Sequence, residues 1–208
     1  MEVSLSGDMD RPWWGNDGKG DFSVSKCYKG WEVDRGDEYP EKLIWSHNWP
    51  QKVSFFLWLL SHEKMLTIDM LKKKGWSIPN RCYLYNCEEE TIRHLMFHCK
   101  VSYEVWQYFT SAVNWYWVMP NSILTILHGW KRRGMSERGK ILWKVLPASI
   151  CWSLWKSRNA VAFDSKGVNV DRLILEVKIQ AFFWVQGANS FNGIFLDNVI
   201  GQWKDMFY

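Results

Sequence analysis

The chain has 208 residues, of which 47% are hydrophobic and 23% charged, and its formal net charge is +4. This composition is that of a globular protein long enough to bury a core, and it argues against intrinsic disorder over most of the chain. The charge is compatible with a nucleic-acid partner but is too small to identify a dedicated binding domain. Sixteen tryptophans, spread from Trp13 to Trp203, predict an extensive aromatic core.

The N-terminal residues lack the apolar run of a secretory signal, and no apolar stretch is long enough to cross a bilayer as a helix. The longest such stretch, residues 141–155, contains Lys144 and Pro147. Five cysteines are an odd number, which argues against a framework of disulfides in an exported protein. We therefore expect an intracellular protein, cytoplasmic or nuclear and not secreted, with no membrane partner.

The first predicted elements follow a polar N-terminal segment. Residues 1–21 are rich in Gly, Asp and Asn and are predicted to be a truncated N-terminal linker. After Pro50, apolar positions with helical spacing predict a buried helix; these are Val53, Phe56, Leu57 and Leu60. Thr67 is predicted to cap a second helix, which Gly75 ends.

Helical spacing continues through the rest of the chain. Two short helices are predicted to flank Cys99, a longer helix is predicted to end near Phe163, and a further one is predicted to end at Gly187. The predicted fold class is mainly α. We expect a small helical domain with a Cys/His zinc-type loop over residues 22–115, followed by a helical C-terminal extension over residues 116–208.

A cluster of thiol and imidazole side chains is the strongest chemical signal, because these groups are the usual ligands of structural zinc. The predicted ligand set is Cys82, Cys87, His94 and Cys99. His98 could substitute for Cys99. Tyr85 occupies the place where a Cys-x2-Cys hairpin would have its second cysteine, so Cys87 would have to serve instead. The alternative is that these residues are ordinary buried thiols and histidines.

Further motifs lie on both sides of this cluster. They are Gly20-Asp-Phe22-Ser23-Val24, Trp49-Pro50-x-Lys52-Val53-x-Phe55-Phe56-x-Trp58, Leu66-Thr67-x-Asp69-x-Leu71 and Trp152-x-Leu154-Trp155-x-x-Arg158-Asn159. Together with the cluster, over residues 13–165, they resemble the reverse transcriptase zinc-binding domain of plant LINE-type (non-LTR) retrotransposons. The resemblance implies zinc ligands at Cys82, His94 and Cys99, and it places the family's remaining cysteine at Tyr85.

The resemblance implies a supporting part in handling element RNA or target DNA during reverse transcription, with structural Zn²⁺ as cofactor. The chain has no Asp-Asp pair of the polymerase type and no carboxylate set suited to two-metal nuclease chemistry. We therefore predict a non-catalytic protein with no small-molecule substrate. Glu88, Glu89 and Glu90 are predicted to be solvated residues at a helix start, not catalytic ones.

Contacts with RNA or DNA are predicted for six cations, which would bind phosphates while aromatic side chains stack on bases. They are Arg81, Arg93, Lys100, Lys131, Arg132 and Arg133. The alternative for each cation is a solvated protein face. The alternative function for the whole module is an inert or protein-interaction scaffold remnant with a degraded zinc site. Neither interpretation specifies an oligomeric state.

Overall fold

The computed structural model describes residues 41–116, 118–164 and 166–208. These residues belong to a compact unit that spans Pro40–Tyr208. The predicted linker at residues 1–21, the Gly20–Val24 motif and Cys27 lie outside the described residues.

The described residues form eight α-helices and no strand. The α-helices are α1 (Glu41–Ile44), α2 (Gln51–Ser61), α3 (Ile68–Lys73), α4 (Lys100–Ser111), α5 (Ile123–Gly129), α6 (Glu137–Asp164), α7 (Val170–Val185) and α8 (Leu196–Gly201). A π-helix covers His94–His98, and short 3₁₀ helices cover Asn189–Phe191 and Lys204–Met206. The predicted mainly α fold class is confirmed. None of the described helices is both long and apolar enough to cross a membrane.

Helix α6, with 28 residues, is the central element of the unit. It packs most extensively against α7 and also contacts α2, α4 and the π-helix. Leucine or isoleucine recurs every fourth position on its buried face, at Leu142, Leu146, Ile150 and Leu154, all fully buried. Burying such a side chain contributes roughly 1.5–3 kcal/mol, so this stripe fixes α6 in the core. Elements on both sides of residue 115 pack together in this unit. The domain boundary predicted there stays a prediction.

Several tryptophans form an aromatic core beside α6, as the composition predicts. The indole rings of Trp130 and Trp143 stack with centroids 4.2 Å apart and planes 11° apart, and Trp106 meets Trp130 edge to face. The Trp130 Nε1–H donates to the carbonyl oxygen of Trp143 at 2.8 Å. Because this bond satisfies a buried indole donor, the stack is fixed in orientation as well as in contact.

The start of α3 differs from the prediction. Thr67 precedes the helix, but its hydroxyl donates to the Asp69 carboxylate at 2.6 Å and accepts no backbone N–H. The backbone N–H groups of Ile68 and Asp69 donate instead to the side chain and the carbonyl oxygen of Glu90, at 3.1 and 3.3 Å. The first turn of α3 is therefore capped by Glu90, which lies 22 residues after Ile68 in the chain. Gly75 follows the helix with φ of 91°, in the left-handed region where glycine is favoured.

Glu90 was expected to be solvated, and that expectation is wrong, because its side chain is fully buried. Arg158 of α6 donates to it through Nη2 at 2.7 Å and through Nε at 3.1 Å, and the Tyr83 N–H donates to its other oxygen at 3.3 Å. A buried carboxylate is tolerated only when it is paired and hydrogen-bonded, and Glu90 meets both conditions. It thereby joins α3, the cysteine-bearing loop and α6. Glu88 and Glu89 are exposed, as predicted.

Candidate metal centre

The loop that follows Cys82 is closed by two backbone hydrogen bonds. The Cys82 N–H donates to the Glu88 carbonyl oxygen at 2.8 Å, and the Asn86 N–H donates to the Cys82 carbonyl oxygen at 2.7 Å. Asn86 has φ of 60°, a left-handed conformation that asparagine tolerates better than most residues. This loop directs Cys82 into the interior and leaves Tyr85 and Cys87 exposed.

The π-helix brings His94 and Cys99 to one side of the chain. Its hydrogen bond runs from the Cys99 N–H to the His94 carbonyl oxygen at 2.7 Å, five residues apart. In a regular α-helix each residue is rotated by about 100° from the one before it, so two residues five apart would point about 140° away from each other. The wider turn is therefore the local feature that allows residues at this spacing to reach one site.

Cys82, His94 and Cys99 form a buried group, which we call the thiol–imidazole cluster. Their Sγ and ring nitrogen atoms all lie within 4.8 Å of one another, and the two sulfurs are 3.8 Å apart. A disulfide needs a separation of about 2.05 Å, and both cysteines are free thiols. Two thiolates each about 2.3 Å from a tetrahedral ion would lie about 3.8 Å apart. The sulfur separation thus fits a shared zinc ion.

The two nitrogens of the His94 ring have different surroundings. Nδ1 lies 3.0 Å from the Glu88 carboxylate, whereas Nε2 is buried and has no hydrogen-bond partner. A buried polar atom without a partner costs about 1–3 kcal/mol, and such atoms are rare in native proteins. Histidine ligands of metals commonly direct their second nitrogen to a carboxylate. The donor set of the thiol–imidazole cluster therefore fits a metal ion, with Glu88 orienting the histidine.

The electrostatics of the cluster favour the thiolate form of one of its two cysteines, Cys82. The hydrogen bond between the Cys82 and Cys99 thiols lowers the pKa of Cys82, and the same bond raises the pKa of Cys99. The neighbouring Cys82 sulfur also raises the pKa of the His94 imidazole, with a smaller contribution from Glu88. By contrast, burial alone raises the pKa of Cys151, which lies elsewhere in the core. The thiolate is the form that binds metal, so Cys82 is the cysteine best prepared for it.

The fourth predicted ligand and its substitute lie apart from this group. Cys87 is exposed and lies outside the three-residue cluster. His98 is also exposed, and its Nδ1 contacts the carbonyl oxygen of Arg93 at 3.2 Å. The structure therefore assembles three of the four predicted ligands and places Cys99, not His98, among them.

Three of the predicted nucleic-acid contacts lie next to cluster residues in the chain. Arg81 precedes Cys82, Arg93 precedes His94 and Lys100 follows Cys99, and all three cations are exposed. The guanidinium of Arg93 pairs with Glu63 at 3.1 Å, so its charge is already engaged. The Lys100 ammonium lies over the Tyr85 ring, 5.3 Å from its centroid. Exposed cations therefore adjoin the buried cluster along the chain, together with the exposed carboxylates of Glu88 and Glu89.

The other three predicted contacts follow α5. Lys131 and Arg132 line a cavity, whereas Arg133 is exposed. Two further lysines of that cavity, Lys140 and Lys144, were missed by the sequence analysis. Lys140 and Lys144 are four residues apart, which places them on one face of α6. Trp143 lies between them in the chain, and Pro147 follows one turn later. This spacing is the sequence signal that could have identified them.

Comparison with known proteins supports the same domain. Residues 22–106 match the family described as zinc-binding in reverse transcriptase. A protein of Arabidopsis thaliana named "Putative ribonuclease H protein" is 25% identical over 185 residues. That match covers 81% of this chain and 28% of the relative, so the chain spans less than a third of the relative's length. No solved structure matches the chain.

Proposed function

We propose that this chain is a non-catalytic module derived from a plant LINE-type retroelement, in which Cys82, His94 and Cys99 bind one structural Zn²⁺ ion. The observation that carries the proposal is the thiol–imidazole cluster, with sulfurs 3.8 Å apart and the buried Nε2 of His94 unpartnered. The match of residues 22–106 to a reverse transcriptase zinc-binding family supports the choice of metal.

The bound ion would supply structural cross-linking and no reaction chemistry. Cys82 belongs to the closed loop, whereas His94 and Cys99 begin and follow the π-helix, so shared ligation would hold these two segments together. Glu88 would keep His94 in the orientation that presents Nε2 to the cluster. We propose Cys87 as the fourth ligand, because it is joined to Glu88, whose carboxylate already reaches His94.

We further propose that this module contacts single-stranded RNA or DNA through Arg81, Lys100 and the Tyr85 ring. Arg81 and Lys100 are exposed and form no ion pair with a described residue, and Tyr85 lies beside Lys100 with 40% of its surface exposed. Cations beside an exposed aromatic ring are the combination that binds phosphates and stacks bases. Such a surface suits an accessory role in nucleic-acid handling.

The zinc proposal is tested by elemental analysis of the purified protein and of two variants, Cys82→Ala and His94→Ala. We expect about one zinc per chain, lost in both variants because each removes one of few ligands. Cys151→Ala is the matched control, since it removes a buried thiol outside the cluster and should retain the metal. Cys87→Ser should retain zinc with weaker affinity if Cys87 is the fourth ligand. A folded wild-type protein without zinc would favour the scaffold alternative.

The nucleic-acid proposal is tested by fluorescence anisotropy with single-stranded RNA over a range of salt concentrations. The double variant Arg81→Gln/Lys100→Gln should flatten the logarithmic salt dependence of the association constant by roughly 0.7 for each phosphate that it no longer neutralises. Lys72→Gln/Lys74→Gln removes the same charge from exposed lysines at the end of α3 and is the control. Wild-type binding that does not change with salt would reject the proposal.

A further inference from the structure

A cavity of about 280 Å³ lies between α1, α5, the loop after α5 and the first half of α6. Eleven residues line it, and four of them are cations: Lys131, Arg132, Lys140 and Lys144. No Asp or Glu lines it, although the chain as a whole has nearly as many acidic residues as basic ones, 22 against 26. The cavity is therefore a local concentration of positive charge in a nearly neutral protein.

These cations are poorly neutralised by the surrounding protein. Lys140 pairs with Glu137, but Lys131, Arg132 and Lys144 form no ion pair with any described residue. The Nε of Arg132 is also buried without a hydrogen-bond partner. Guanidinium groups are suited to bind phosphate and carboxylate, and several unneutralised cations around one cavity favour an anion in it.

The rest of the lining is apolar, and three of its seven residues are tryptophans. It includes the stacked rings of Trp130 and Trp143 together with Leu127 and Met135. An inorganic anion would make no use of these walls. A volume of about 280 Å³ lies just below the usual range for ligand pockets, which excludes a long-chain lipid anion. The geometry favours a small anion with a flat, weakly polar body.

We infer that the cavity binds one nucleoside phosphate unit, with its base against the tryptophan and leucine wall and its phosphate at Lys131, Arg132 and Lys144. The choice of a nucleotide among planar anions rests on the proposed nucleic-acid function, whereas the charge and the shape of the cavity stand independently of it. The unit is either a free nucleotide or the phosphorylated end of a nucleic-acid chain, since both present the same chemistry.

The test is isothermal titration calorimetry of the zinc-loaded full chain with a nucleoside monophosphate, inorganic phosphate, and a trinucleotide with or without a 5′-phosphate. We expect saturable binding of the monophosphate and binding of inorganic phosphate weaker by at least about tenfold, because the apolar wall is then unused. Binding of the 5′-phosphorylated trinucleotide, and not of its unphosphorylated form, would identify a chain end as the source. Binding of the monophosphate alone would identify a free nucleotide.

The variant Arg132→Gln/Lys144→Gln should weaken nucleotide binding by at least about tenfold, since each charge-assisted contact to a phosphate is worth roughly that factor. The double variant Lys72→Gln/Lys74→Gln removes equal charge at a distance and should bind as wild type does. Absence of saturable binding by both phosphorylated ligands, or unchanged binding in the cavity variant, would overturn the inference. Zinc content and RNA anisotropy of the same proteins report the proposed function separately, so the two can fail independently.

Discussion

Glu90 and the thiol–imidazole cluster lie within one segment of eighteen residues, 82–99, and both are withdrawn from solvent. The carboxylate of Glu90 accepts hydrogen bonds from two backbone N–H groups and from the guanidinium of Arg158. In the cluster, the Nε2 of His94 has no partner, and Cys82 and Cys99 have mainly each other. The hydrogen-bonding capacity of Glu90 is satisfied by the chain itself, whereas that of the thiol–imidazole cluster is not.

This difference separates a structural role from a binding role. Burying a charged or polar group is unfavourable unless its hydrogen-bonding capacity is met, and folded proteins meet it almost everywhere. Glu90 draws its partners from three parts of the chain, which fixes how those parts pack. The thiol–imidazole cluster retains unmet capacity in a donor set suited to zinc, which is the expected state of a site that an ion completes.

The largest expected effect comes from removing Arg158, the partner of the buried Glu90 carboxylate. Arg158→Met should lower the free energy of unfolding by about 3–5 kcal/mol, because it leaves Glu90 buried and unpaired. Urea denaturation measures the loss. Arg172→Met makes the same substitution in an exposed pair with Glu176 on α7 and should change stability by no more than about 1 kcal/mol. Equal losses in the two variants would show that burial of the Glu90 pair is not decisive.

Removing the proposed zinc ion should have the next largest effect. Protein held at free zinc one hundred times the dissociation constant should lose about 2.7 kcal/mol of stability on chelation, because the ion binds only the folded state. Denaturation with and without chelator measures this difference. His94→Ala should not respond to the chelator, whereas Arg158→Met should respond as wild type does if the two buried groups are independent.

A packing defect at the start of α6 should be smaller and should leave both polar groups intact. A Cβ at Gly139 would lie 2.7 Å from the Cα of Phe207, which is backbone and cannot rotate away. Gly139→Ala should therefore cost about 1–3 kcal/mol in thermal or urea denaturation, with zinc content unchanged. Gly201→Ala, where a Cβ meets nothing within 4 Å, should be neutral or mildly stabilising. Loss of zinc in Gly139→Ala would mean that the cluster depends on global packing.

The smallest expected effect comes from supplying the ligand that the related family places at Tyr85. Tyr85→Cys should tighten zinc binding by about tenfold, about 1.4 kcal/mol, because the loop then offers a second thiolate, besides that of Cys87, for the fourth ligand position. Competition against a chromophoric chelator measures the affinity. Tyr103→Cys introduces a thiol at an exposed tyrosine of α4 and should leave the affinity unchanged. An unchanged affinity in Tyr85→Cys would indicate that position 85 cannot reach the cluster.

Much of the helical architecture could be predicted from local sequence. The spacing of Val53, Phe56 and Leu60 predicts α2, and all three side chains are buried there. The helix predicted to end near Phe163 ends at Asp164, and the helix predicted to end at Gly187 ends at Val185. Apolar periodicity succeeds because the same face that a helix buries is visible as a repeat of three and four residues.

The residue types of the candidate site could be predicted from the sequence, but its full set of ligands could not. Clustered cysteines and histidines indicate a metal site, and three of the four predicted ligands come together. Cys87 does not join them, because the closed loop turns it outward. The π-helix that brings His94 and Cys99 together has no local signature in the chain, since it depends on how residues 94–98 pack between α4 and α6.

The sequence by itself determined the helical class, the aromatic core and the presence of a thiol and imidazole group suited to zinc. Only the tertiary structure decided that Glu90 is buried, that it replaces Thr67 in capping α3, and that it pairs with Arg158 at a separation of 68 residues. The same holds for the cationic cavity, which Lys131 and Arg132 share with two lysines of α6. Periodicity and ligand chemistry are local properties of the chain, whereas burial of charge depends on which distant groups are brought within hydrogen-bonding distance.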